Sequence, residues 1–351
     1  SLVPANTADQ VVAAGGLGEF SAVSLEKKLA GKAVQIQPSI DELEEGLSGN
    51  ASPKDAQTLF ELIYLTFTAP RPDPVVFDVI KTQFKTFLEN RTQSPESVFS
   101  DTLRTTMQRD QPRFRPMTVD EIPEMSLEKS LAFYRDRFAD ASDFTFFFVG
   151  NLDLEKIEPL VCTYLASLPS IHRTETWKDW RVPPPEGVVK KTVEKGVEPK
   201  SLTAIVFSGP FENNAGNRAH IRAAAQVLET RLGTDPARID EMSAAIFREI
   251  KALRKKGPTA KEVEEIRLAE SRDFETSSRQ NGWWLSQISE RYRVGEDPAG
   301  IVRLPESFGP AGIVRLPESF GLLTQKSVQA AARTYFDLKR YVQVTLYPEK
   351  R

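Results

Sequence analysis

Residues Asp143–Pro169 read DFTFFFVGNLDLEKIEPLVCTYLASLP. A short apolar run, Phe144 to Val149, is broken by Gly150, and Asn151 or Asp153 can cap the next segment. Leu154, Ile157, Leu160, Val161, Tyr164 and Leu165 then recur at helical spacing until Leu168-Pro169 stops the pattern. A strand, a glycine turn and an amphipathic helix make one unit with one core face. The unbroken run Phe146-Phe147-Phe148-Val149 reads as a strand buried on both faces. Cys162 falls on the expected core face of the helix. Read from periodicity alone, the stretch is core and carries no chemistry.

Upstream, Ala5 to Ala14 reads as a short helix ended by Gly15-Gly16. The cluster GGLGEFS follows no apolar strand, so its glycines are a helix stop and a loop rather than a dinucleotide fingerprint. Ser24 is expected to cap a short helix, Leu25 to Ala30, closed by Gly31. Val34-Gln35-Ile36-Gln37 alternates as a strand, and Glu44 to Ala51 returns as its hairpin partner. Ser52-Pro53 opens a helix with proline in its first turn, broken by Pro70, Pro72 and Pro74. Val75 to Leu88 and the segment after Ser94-Pro95-Glu96 are two more helices, the latter with Phe99, Leu103 and Met107 four apart. Thr118-Val119-Asp120-Glu121 has the pattern of a capping box, and Ser126 caps a helix containing Leu131, Tyr134 and Phe138. Many helices with few strands make this region an α+β layer.

Residues 171–187 hold Trp177, Trp180 and Pro183-Pro184-Pro185. They read as a stiff linker packed in part through its tryptophans. Beyond it, Val189, Lys191 and Val193 alternate, and Leu202 to Phe207 is a second strand ended by Gly209-Pro210. An alanine-rich helix, Arg218 to Leu232, is apolar at Ile221, Ala224, Ala225 and Leu228. Gly233-Thr234-Asp235-Pro236 stops it and opens another, marked by Ile239, Met242, Ile246, Ile250 and Leu253. A polar-faced helix spans about Ala260 to Ser277, with a helical stretch after Asn281-Gly282. Thr324 caps a helix through Phe336, and Tyr341 to Leu346 alternates as a terminal strand. The string PAGIVRLPESFG occurs at Pro298–Gly309 and again, identically, at Pro310–Gly321. Two perfect copies are not a solenoid, which needs several imperfect repeats. They read as a loop duplication or an error in the recorded chain, and no function attaches to them.

Composition narrows the function classes. The chain has 351 residues, 40% hydrophobic and 27% charged, with a formal net charge of −3. It can build real cores. No basic block points to nucleic acid, and no apolar run approaches the roughly 20 residues needed to span a bilayer. The single cysteine rules out an internal disulfide. The opening SLVPANTADQ has neither a basic n-region nor an apolar h-region, so no signal peptide is expected within it.

Known catalytic strings are missing. The two histidines, His172 and His220, lie in HRTET and HIRAA and belong to neither HExxH nor HxxEH. A catalytic zinc takes three protein ligands drawn from His, carboxylate and Cys, and these two histidines make no such set. Gly46-Leu47-Ser48-Gly49-Asn50 fails the GxSxG elbow at its last position. The carboxylates are mostly interleaved with Lys and Arg, as in EIKALRKKGPTAKEVEEIR, which is a solvated helix face. The residues therefore nominate no catalytic and no metal-binding position.

Several stretches together carry a resemblance: SGNASPKDAQTLFELIYLTFTAPR (Ser48–Arg71), SLAFYRDRFADASDFTFFFVGNLD (Ser130–Asp153), YLASLPSIHR (Tyr164–Arg173), GTDPARIDEM (Gly233–Met242) and VTLYPE (Val344–Glu349). Over essentially its whole length the chain resembles the C-terminal, non-catalytic half of an M16-family (pitrilysin or insulinase-like) zinc metallopeptidase. The resemblance implies two homologous α+β domains, 1–170 and 188–351, joined by the linker 171–187. It implies a clamshell whose other half carries zinc on an HxxEH helix, where two histidines and a carboxylate hold the metal and the motif's glutamate is general base. This chain would enclose peptide substrate, bind no zinc itself and be inactive alone. Its partners would be an HxxEH-bearing half, fused or separate, and a peptide, without nucleic acid or membrane insertion.

The family's second half also supplies an Arg and a Tyr that polarise the substrate, in a stretch just after the helix matching Val227–Leu232. Here Leu232 runs directly into Gly233-Thr234-Asp235-Pro236, and the stretch is absent, as are strands expected ahead of Ser1. Neither Arg231 nor Tyr292 is assigned to the pair. The alternative reading is a catalytically inactive M16-like scaffold or peptide-binding subunit. Exported bacterial relatives lean the localisation toward the periplasm or another exported compartment.

Overall fold

The computed structural model describes residues 2–180, 182–198, 200–232, 239–301 and 323–349. In chain order the helices are α1 (Val3–Asn6), α2 (Ala8–Gly15), α3 (Ala22–Lys28), α4 (Ala56–Thr68), α5 (Pro74–Gln93), α6 (Pro95–Met107), α7 (Leu127–Arg137), α8 (Leu154–Leu160), α9 (Ala215–Leu232), α10 (Ile239–Lys256), α11 (Ala260–Ser277), α12 (Asn281–Arg293) and α13 (Gln325–Tyr335). The strands are β1 (Val34–Ile40), β2 (Glu45–Ala51), β3 (Val188–Glu194), β4 (Leu202–Phe207) and β5 (Tyr341–Tyr347). This is the α+β class expected from the sequence. The contacts divide the chain into two units: residues 1–93, 116–146 and 150–180 form the first, and residues 94–115, 147–149 and 181–351 form the second.

In the first unit, β1 and β2 pair antiparallel from Val34↔Ala51 to Ile40↔Glu45, the hairpin that the alternation predicts. Val3, Val11, Ile80, Leu88, Ile122 and Met125 form one buried cluster. A second set of contacts is aromatic. Tyr134 and Phe138 stack at 4.4 Å, and Phe67 meets Phe138 edge-on at 5.1 Å and Phe144 at 4.9 Å. The Tyr134 hydroxyl donates to the Thr66 carbonyl, so this buried ring also satisfies its polar end. Caps behave as their chemistry requires. Ser94 accepts from the Ser97 amide, Ser126 from the Lys129 amide, and the Thr118–Glu121 box forms on a 3-10 turn, Val119–Glu124. Gly16 holds φ 98°, and a Cβ there would lie 2.2 Å from the Phe20 carbonyl oxygen. Only glycine fits that turn.

Four local expectations are overturned here. Phe144 to Val149 joins neither sheet among the described residues, and its apolar side chains are half-buried rather than enclosed. Phe144 packs instead against rings from α4 and the end of α7, which buries it without a strand ladder. The helix expected at Leu25 to Ala30 starts earlier, because Ser21, not Ser24, is its cap and accepts from the Ser24 amide. After α8 the chain enters a π turn, Val161–Leu165, in which the Ala166 amide reaches the Val161 carbonyl. The extra residue in that turn rotates the following positions. Cys162 is exposed and Leu154 is 74% exposed, so the expected core face is not kept. The tryptophans do not pack the connector down. Trp177 is 77% exposed, and Trp180 lies under the Lys178 ammonium at 4.1 Å.

The second unit is built on a three-stranded sheet, order β3-β5-β4, with β3 parallel and β4 antiparallel to β5. The terminal strand is thus central, and it is buried from Tyr341 through Leu346 rather than on alternate residues. Val342, Val344 and Leu346 pack with Val193 and with Phe99 of α6, whose Leu103 and Met107 join the same cluster. From the intervening positions, Tyr341 meets Phe247 of α10 and Gln343 approaches Ser243. The main core lies among α9, α10, α11 and α13, around Ala223, Ala224, Val227, Ile250, Leu253, Val263, Ile266 and Val328. On α9, Ala224 and Leu228 are buried, as expected, whereas Ala225 is exposed. Capping boxes at Thr259–Glu262 and Thr324–Ser327 start α11 and α13. Gly233 to Ala237 and the repeated PAGIVRLPESFG beyond Ile301 lie outside the described residues; Pro298–Ile301 forms a 3-10 turn.

Candidate functional site

The densest charged constellation among the described residues is in the first unit, at the C-terminal end of α7. Asp140, in the turn after α7, is fully buried. It accepts hydrogen bonds from the Ser142 amide at 3.0 Å and hydroxyl at 2.7 Å, and from the amides of Ile171 at 3.0 Å and Arg173 at 2.6 Å. Burial pushes its carboxyl up, but those four donors outweigh it and hold the group well below the ordinary carboxylate range. Asp140 thereby clasps the start of the connector to the end of α7. His172, between the two clasped amides, takes a left-handed φ of 51° and is exposed.

The clasp delivers Arg173 and Glu175 to the charged end of α7. Arg137 donates to both oxygens of Glu175, at 2.9 and 3.0 Å, and lies 3.6 Å from Glu45 on β2. Arg173 donates to Asp136 Oδ1 at 3.1 Å and to the Asp136 carbonyl at 3.1 Å, and is also paired with Glu175. The hydrogen bonds from Arg137 hold the Glu175 carboxyl below its usual range. Burial raises that of Glu45 in spite of Arg137.

Glu45, Asp143 and Glu175 each present an oxygen within 4.8 Å of the others, the only such metal-capable group among the described residues. It does not fit zinc. It offers carboxylates alone, without the imidazole or thiolate nitrogen and sulfur that zinc sites are built from, and two guanidiniums already pair with Glu45 and Glu175. Arginine in bidentate contact is the ordinary partner of such a group. The constellation is a structural ion-pair network that fixes the connector.

Neither histidine joins this group: His172 is exposed beside it, and His220 is half-buried on α9 in the other unit. Tyr292 is 53% exposed, its ring 5.3 Å from that of Phe147. The position expected for the Arg/Tyr stretch, after Leu232, falls outside the described residues, as does the side chain of Arg231. Sequence reading did not find the network. Its members come from β2, α7 and the connector, and the strings RDRFADASD and HRTET look like ordinary surface charge until the fold joins them.

A family model described as the Peptidase M16 inactive domain matches residues 124–229. A zinc protease PQQL-like protein of Arabidopsis thaliana is 22% identical over 289 residues, covering 68% of this chain and 30% of that protein. The probable zinc protease PqqL of Escherichia coli is 25% identical over 161 residues, covering 46% of this chain and 17% of its own. The matched regions thus span less than a third of these relatives. The crystal structure of periplasmic PqqL superposes with a TM-score of 0.80 at 18% identity, covering 99% of this chain and 41% of that one. That of a peptidase M16 inactive domain from Pseudomonas fluorescens superposes at 0.72 with 14% identity, covering 99% and 89%. The chain thus has the fold of M16 peptidase halves, and residues 124–229 match the model of that family's inactive domain.

Proposed function

We propose that the chain is the substrate-enclosing, non-catalytic half of an M16-type zinc metalloendopeptidase, acting on peptides or unfolded polypeptides together with an HxxEH-bearing half. The observation that supports this reading is a match over 99% of the chain to part of a protease in a sequence that contains no HxxEH. On this reading zinc sits in the other half, whose metal-bound water does the hydrolysis. This chain contributes walls, binding and closure. The two halves are one longer polypeptide or two subunits. The periplasmic relative supports placement in an exported compartment. The direct passage from Leu232 into Gly233, without the stretch that would carry an Arg and a Tyr, favours a second reading: an inactive M16-like scaffold or peptide-binding subunit.

Peptide cleavage by the chain alone and mixed with an HxxEH-bearing half, with zinc content and a chelator control, separates these readings. An inert, zinc-free chain whose mixture cleaves, and stops on chelation, is the expected result. Stoichiometric zinc and cleavage by the chain alone would overturn both. A mixture that stays inert while peptides still bind the chain selects the scaffold.

A further inference from the structure

Asp140 holds the Ile171 and Arg173 amides, and Arg137 holds Glu175, so the connector is fixed as far as Glu175. Thr176 to Trp180 follow, every residue exposed and none in a helix or strand. Lys178 lies in the middle of this stretch with its ammonium over the Trp180 ring at 4.1 Å, an exposed contact that costs little to break. Exposed, irregular segments between anchored elements are where proteases cut. The turn after β3 also carries lysines, Lys195 and Lys200, but it is pinned. The Lys195 amide donates to the Tyr347 carbonyl, the Glu349 amide to the Gly196 carbonyl, and the Lys200 amide to the Glu198 carbonyl.

α6 precedes the connector in the sequence yet belongs to the unit that follows it. At both its ends, Gln93–Ser94 and Arg115–Pro116, the chain passes back into the first unit. Val98, Phe99, Leu103 and Met107 pack with Val193, Val342, Val344 and Leu346. Pro95 lies so near Gly196 that a Cβ on that glycine would come within 2.7 Å of the proline ring. Phe147 also belongs to the second unit, its ring 5.3 Å from that of Tyr292.

We propose that the connector is a processing site, cut after Lys178 by a lysine-directed endopeptidase, and that the two products remain one particle through α6. The cut consumes one water. The C–N bond between Lys178 and Asp179 breaks, leaving a carboxylate on Lys178 and an amine on Asp179. Residues 1–178 then carry α6, and residues 179–351 carry the sheet that α6 covers. Parting the products would expose Phe99 and the apolar row of β5 to water together, so burial of that row opposes separation. Because α6 is joined to the first unit at both ends, it cannot leave with the second product as a loose segment. The proposal does not depend on the proposed peptidase role.

Brief digestion of the full chain with an endopeptidase that cuts after lysine tests this, read by intact mass, a denaturing gel and sedimentation in non-denaturing buffer. The expected first products are 1–178 and 179–351, resolved under denaturing conditions and sedimenting together at the mass of the uncut chain. Lys178→Gln should remove that cut and leave the melting temperature unchanged. Phe99→Ala should let the cut products separate at dilutions where the unmodified pair stays whole. If Phe99→Ala fails to fold before cutting, hydrogen exchange on the unmodified chain decides: the Val342 to Leu346 amides should be as slow after the cut as before it. A first cut elsewhere, products that sediment apart, or a joined pair in which those amides exchange freely would each overturn the proposal.

Discussion

Phe99 on α6 is 5% exposed and packs in one cluster with Val193, Val342, Val344 and Leu346. Its ring lies against the central strand of a sheet whose other members begin some ninety residues later in the chain. Replacing it by alanine removes the ring and leaves a cavity against β5. Phe→Ala changes at such sites cost about 3–5 kcal/mol. At roughly 1.4 kcal/mol per tenfold change, the amides of Val342 to Leu346 should exchange about two to four decades faster in Phe99→Ala than in the unmodified chain. The hairpin β1–β2, in the other unit, is the internal reference and should change little. Native-state hydrogen exchange read residue by residue is the assay. Acceleration limited to α6 itself would show that the helix leans on the sheet without holding it. Equal acceleration of β5 and of Ile36 to Gly49 would show that the two units do not open separately, and the assignment of α6 to the second unit would fail.

Glu270 on α11 is 6% exposed, and neither carboxylate oxygen has a hydrogen-bond partner among the described residues. Glu270→Met should therefore stabilise the chain at neutral pH, by about 1–3 kcal/mol if the whole cost of the unsatisfied group is recovered. Burial raises the carboxyl of Glu270 above its ordinary value, with Arg222 opposing and Asp273 assisting. The unmodified chain then loses stability as pH rises through and above the unfolded-state value. The gap between the two proteins in thermal melts should shrink on acidification from neutral pH toward about pH 4.5 and level off below it, and a gap that widens over that fall would contradict the burial argument. Asp140 has the opposite sign. Its depressed carboxyl adds stability above the ordinary Asp value, lost as pH falls through the folded value. Asp140→Ala should remove the clasp, speed exchange at the Ile171 and Arg173 amides and open the connector to protease, whereas unchanged exchange at both would mean that the clasp holds nothing.

The legible features were local ones. The β1–β2 hairpin shows as an alternating strand and its return across a short turn, and Ser94, Ser126 and Thr324 announce helix starts because a cap bonds within three residues of itself. The fold class and the resemblance to an M16 half followed from such stretches taken together. The run Phe144 to Val149 was misread as a strand because an apolar run reports burial, not the presence of a neighbour to pair with. Cys162 was placed on a core face because ideal helical spacing cannot show a π turn.

By itself the sequence determined where most helices start, that one hairpin closes on itself, and that no zinc-binding HxxEH string is present. Each of these depends on residues a few positions apart, or on their identity alone. Only the tertiary structure decided that α6 covers the sheet of the second unit, that the last strand is its centre, and that Glu45, Asp136, Arg137, Arg173 and Glu175 form one network. Those outcomes depend on which distant surfaces bury most apolar area and neutralise most charge together, a comparison among whole arrangements of the chain that no window of sequence contains.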